Sequence, residues 1–121
     1  MSSDTASEVS KAVERFQELV PALASLKMVF ALELRGRGDL QVFRVEVPGP
    51  HVSKQQPDDA RVTLAMPRAT FNELSEKGEL TDYQQAWEHG DIKSSGDPNV
   101  QKLIGQVVSK QLERARLKKS R

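Results

Sequence analysis

Three features of the chain predict an α+β fold in which helices lie on one mostly antiparallel sheet. Residues 26–47 hold two runs with a period of two, joined by a glycine-rich reversal. Residues 60–97 read as strand, helix, helix and short strand, an order that builds a half-open apolar enclosure. The C-terminal stretch carries one long apolar stripe at helical spacing.

Each element has its own signal. Val9, Ala12, Val13, Phe16, Leu19 and Val20 recur at steps of three and four, which predicts an amphipathic helix with Ser7 as its N-cap and Pro21 at its end. Residues 1–7, small and polar, are expected to be disordered. From Leu26 the period changes to two. Met28, Phe30, Leu32 and Leu34 share one strand face, while Lys27, Glu33 and Arg35 point the other way. Gly36-Arg37-Gly38-Asp39 is a tight reversal, and Leu40 to Val47 return with Phe43, Val45 and Val47 aligned. Pro48-Gly49-Pro50 ends that strand, and His51 to Gln56 form at most a weak edge strand. Pro57-Asp58-Asp59 turns into a strand at Ala60 to Met66. A helix carrying Phe71 and Leu74 stops at Gly78, and a second carrying Ala86 and Trp87 ends at Gly90. A short strand at Asp91 to Ser95 precedes Asp97-Pro98, an N-cap carboxylate followed by a proline suited to the first helical position. The last helix carries Val100, Leu103, Ile104, Val107, Val108, Leu112 and Ala115 along one stripe.

The bulk composition narrows the function. A chain of 121 residues makes one domain, expected over residues 8–117 with a basic tail at 118–121. Its 29% charged and 37% apolar residues suit a soluble globular protein, and a net charge of +1 makes it no general nucleic-acid binder. The absence of cysteine excludes thiol catalysis, disulfides and thiolate metal sites. No secretory signal, spanning segment or Ser-Lys-Leu address is present in the chain, so a cytoplasmic location is expected.

Chemistry-bearing patterns are missing. His51 and His89 stand apart with no partner at metal-binding or acid–base spacing, so no metal or cofactor is expected. Gly36-Arg37-Gly38 lies in a hairpin turn and opens no helix, which excludes a dinucleotide fingerprint. No nucleophile elbow surrounds Ser94 or Ser95. The reading is therefore non-enzymatic.

Four passages resemble the sterol carrier protein type-two family, small sterol-binding or lipid-transfer domains. They are "VTLAM" at Val62 to Met66 followed by Phe71, "GEL" at Gly78 to Leu80, "AWEHGDIK" at Ala86 to Lys93, and "GD" at Gly96-Asp97. The likeness spans about residues 60–110. It implies a five-stranded sheet, helices over one face, and an apolar tunnel that holds a fatty acyl chain, an acyl-coenzyme A ester, a sterol or a related lipid. Some relatives serve instead as accessory modules in lipid or quinone pathways.

Physical chemistry makes the same demand of a lipid site: more apolar surface than a tight core consumes. The residues expected to line it are Met66, Phe71, Leu74, Trp87, Ile92, Leu103, Ile104, Val107 and Val108, each of which could equally be ordinary core. The last eight residues hold five basic side chains and no acid. Of these, Arg114, Arg116, Lys118 and Lys119 suit a helix C-terminus, where cations oppose the dipole, and also suit contact with anionic lipid headgroups. An accessory interaction module with a filled interior is the alternative, and homodimerisation is left open.

Overall fold

The structure, a computed structural model, describes residues 4–119. Its elements run α1 (Asp4–Leu19), a one-turn 3-10 helix (Pro21–Ser25), β1 (Met28–Arg35), β2 (Leu40–Val47), β3 (His51–Ser53), β4 (Val62–Pro67), α2 (Arg68–Lys77), α3 (Leu80–Glu88), β5 (Lys93–Gly96) and α4 (Pro98–Lys119). The five strands form one sheet in the order β3-β2-β1-β4-β5. Only the β1–β4 pairing is parallel; the other three are antiparallel. The α+β architecture and mostly antiparallel sheet expected from the sequence are therefore present.

Register explains why one face is apolar. Phe30 stands opposite Val45 and Val62, Leu32 opposite Phe43 and Leu64, and Leu34 opposite Met66. Because side chains alternate along a strand, these residues share a face with Val47 and Val52. Most of them are buried and form one core cluster with Val9 of α1, Phe71 and Leu74 of α2, Ala86 of α3 and Ile92. The opposite face carries Glu33, Arg44, Glu46 and Lys93, which solvate it. Arg44 holds Asp59 there through Nε at 3.2 Å and a second nitrogen at 2.7 Å, and this keeps the Asp59 carboxyl below its usual range.

Local chemistry sets the boundaries. Gly38 takes φ 73 in the hairpin, where the backbone amide of Gly36 donates to the Asp39 carbonyl. Asp97 accepts from the Asn99 amide at 2.9 Å and pairs with Arg61 at 3.1 Å, so α4 starts where its cap predicts. Glu79 and Asp82 form a capping box at the start of α3.

One expectation at the N-terminal end is corrected. Helix α1 begins at Asp4, which puts residues 4–7 in its first turn and Ser7 inside it, not at its cap. Thr5 is buried there, so this turn packs against the rest of the fold. At the other end α4 continues through Lys119. Residues 1–3 and 120–121 lie outside the described residues. The short strand before α4 is also shifted: it runs from Lys93 to Gly96, and Asp91 and Ile92 instead donate backbone hydrogen bonds to the Ala86 carbonyl.

Candidate functional site

The nine expected lining residues occupy three environments. Met66, Phe71, Leu74 and Ile92 are 6–7% exposed and belong to the core cluster. Met66 ends β4 on the apolar face; Phe71 and Leu74, three apart, turn the same side of α2 inward. Trp87 is 47% exposed, because its neighbour Ala86 takes the inward side of α3 and the next position is rotated away by about 100°. The third group lies on α4, where Ile104, Val107 and Val108 are half-buried and Leu103 is 42% exposed. Of the α4 stripe, Val100 is packed against the core cluster.

Helix α4 thus carries apolar surface that its neighbours do not consume. It touches β5 and the 3-10 turn. On the apolar face of the sheet, Met28 and Leu64 are likewise half-buried. Leu23, within the 3-10 turn, and Leu26, just after it, are also half-buried.

Two open concavities follow α4. One, of about 900 Å³, lies between the end of α1, the start of α3 and the C-terminal half of α4, with Leu19, Leu80, Leu112 and Ala115 among its apolar walls. Glu18, Glu79 and Glu113 face Lys110 and Arg116 around it. The other, of about 570 Å³, is an outer hollow along α4 from Lys102 to Lys110. No strand residue lines either, so neither traces the expected tunnel between helices and sheet.

Several interactions that position the site carry little sequence signal. Arg15 of α1 donates to the carbonyls of Glu76 and Gly78 at 3.1 and 2.9 Å, closing the C-terminal end of α2. The Tyr83 hydroxyl donates to the Leu74 carbonyl at 3.3 Å, and its ring meets Phe16 edge-on at 4.9 Å. Burial raises the Tyr83 pKa and keeps the phenol neutral. Only Tyr83 had a readable hint, three residues before Ala86 on the same side of α3. Arg15 reads as one more surface charge.

Among the described residues no group of three His, Asp or Glu could hold a metal ion. His51 and His89 are both exposed. Arg114 and Arg116 are exposed near the end of α4, while the side chains of Lys118 and Lys119 lie outside those described. No described helix is long and apolar enough to cross a membrane.

No protein-family model matches the sequence, and no curated protein matches it. Solved structures do. Palmitated sterol carrier protein 2-like 2 from Aedes aegypti is similar with a TM-score of 0.59 at 20% identity, over 83% of this chain and 93% of that one. Sterol carrier protein 2 from Yarrowia lipolytica, in its apo form, gives 0.53 at 19%, over 77% and 87%. A sterol carrier protein domain of Helicoverpa armigera gives 0.54 at 16%, over 86% and 85%.

Proposed function

On the sterol carrier protein fold that this chain has, we propose that it binds and transfers a lipid without converting it. The observation that carries this reading is the surplus apolar surface of α4: Leu103, Ile104, Val107 and Val108 line one stripe, and none of the four is fully buried. A helix anchored at Asp97 and Val100 yet unconsumed along the rest of its stripe is a lid. Lifting it exposes Met28, Leu64 and the core beneath, and an acyl chain or sterol body completes the apolar contact. Burial supplies about 0.8 kcal/mol per methylene, so ten methylenes give about 8 kcal/mol before ordering costs, in the range of micromolar binding. The nine residues from Met66 to Val108 are the proposed contact set, with Trp87 and Leu103 reaching the ligand only as α4 moves.

Exchange of lipid with a membrane would be helped by the basic end of α4. Arg114 and Arg116, with Lys118 and Lys119, would hold the end of α4 against anionic headgroups at about 1 kcal/mol for each basic residue near the surface. We place the activity in the cytoplasm, with no metal, cofactor or nucleic acid involved. The test is a titration of delipidated protein with a fluorescent acyl chain. Saturable binding in the micromolar range is expected; no saturable signal up to the solubility limit contradicts the reading.

A second reading is favoured by one observation. The two open concavities touch no strand, while Trp87, Leu103 and Leu117 are 42–67% exposed. A filled interior and an exposed apolar helix suit an accessory module that docks α4 on a partner or on a second copy of itself. Such a protein would sediment as a concentration-dependent dimer and take up no lipid.

A further inference from the structure

Helix α4 has a second line of residues besides its inner stripe. Leu103, Val107, Lys110, Arg114 and Leu117 follow one another at steps of four, three, four and three. That period is the spacing of a coiled-coil seam, and over this span it runs along about 21 Å of helix. Leu103, Lys110 and Leu117 lie about 100–140° round the helix from half-buried Ile104. Leu103 and Leu117 are 42% and 67% exposed, Lys110 and Arg114 are exposed, and Val107 is half-buried. Lys110 borders both open concavities, so the middle of the seam is accessible. Among the described residues neither Lys110 nor Arg114 forms an ion pair, and Glu113, three residues after Lys110, does not supply one. Two bases four apart repel along a helix, so the seam has apolar ends and a basic centre without a counter-charge.

We infer that this seam docks an acidic amphipathic helix of another protein, with apolar residues against Leu103, Val107 and Leu117 and carboxylates against Lys110 and Arg114. The inference goes beyond lipid binding and does not depend on it. Charge complementarity selects the occupant. A second copy of α4 in the antiparallel register that opposes Leu103 to Leu117 would bring Lys110 onto Lys110. The parallel register would bring both bases onto themselves, so this chain's own copy is disfavoured. A helix that lies in a lipid surface presents a broad apolar face with its bases on the polar side, whereas here the bases interrupt the apolar line itself. Arg114 is shared with the headgroup contact proposed above, so membrane and partner compete for it.

The probe is a fluorescein-labelled, helix-stapled peptide of about three heptads whose seam reads Leu, Leu, Glu, Glu, Leu at the same steps. A second peptide carries Lys in place of both Glu. Each is titrated with the full chain and followed by fluorescence anisotropy. Wild type is expected to bind the Glu peptide saturably and to prefer it by about 3–30-fold, the worth of two matched charge pairs against two repelling ones. The double variant Lys110→Glu, Arg114→Glu should reverse that preference. The double variant Leu103→Ser, Leu117→Ser should lose both peptides; the wild-type comparison and the charge reversal decide the matter even if this variant fails to fold. No saturable binding of the Glu peptide up to about 1 mM overturns the inference. So does equal binding of the two peptides, or a charge-reversed protein that keeps the wild-type preference. Wild type that sediments as a dimer dissolved by the serine pair also overturns it, because a second copy then covers the seam. Binding to phosphatidylserine vesicles that is lost with the serine pair overturns it in favour of a lipid surface.

Discussion

Gly78 is constrained by space, not by its dihedral. Its φ is −65, which any residue adopts, but a Cβ there would sit 2.5 Å from the Leu74 carbonyl oxygen and 2.9 Å from the Leu74 Cα. Both are backbone atoms of the turn whose end Arg15 closes. Gly78→Ala is expected to destabilise by about 1–3 kcal/mol through a forced shift of that corner, and a melt indistinguishable from wild type would refute the crowding. Asp97 acts by charge. Its hydrogen bond from Arg61, and then the Asn99 amide, hold its carboxyl below the usual range. A depressed folded-state pKa contributes stability that is present above the unfolded value of about 3.9 and is lost as pH falls through the folded one. Asp97→Asn keeps a good cap but drops the charge. Wild type should therefore melt slightly above the variant at pH 7, with the gap narrowing as pH falls below about 4; a gap that is the same at pH 7 and at pH 2 contradicts the assignment. Neither residue's partner was readable in advance, since Arg61 lies 36 positions from Asp97 and Arg15 lies 63 from Gly78.

Helix α4 is where pattern and packing part company. A stripe at steps of three and four reports that a helix has an apolar side, and it is silent on what meets that side. For α2 the same signal, Phe71 and Leu74, leads to the core. For α4 it leads to half-buried and exposed positions beyond Val100. The strands were more legible, because a one-residue slip would turn Phe30, Leu32 and Phe43 out to water, and the short Gly36–Asp39 turn excludes slips of two, so the hairpin register follows from alternation and the turn together. The start of α1 was missed because residues 4–7 carry no stripe, yet Thr5 is buried. If α4 is a lid, its amides from Leu103 onward should exchange with solvent faster than those of β1. Adding a saturating fatty acid should slow them several-fold, while β1 stays unchanged. Equal slow exchange in α4 and β1, indifferent to the lipid, contradicts the lid.

At the scale of the whole molecule, the fold combines an apolar sheet face with a 22-residue helix that does not finish covering it. The fold class was legible from element order and from the strand-into-helix passage at Val62 to Phe71. The site was legible only as a set of apolar residues, and the molecule divides that set between its interior and its outer helix. An acyl chain needs no fixed partner atom, so spacing leaves no signature of one. Native mass spectrometry of protein purified without detergent, repeated under denaturing conditions with lipid extraction, tests the central claim most directly. The account predicts an adduct of a few hundred daltons that departs on denaturation and returns when the bare protein is incubated with mixed lipids. A mass that is bare from the outset, and stays bare after that incubation, would contradict it.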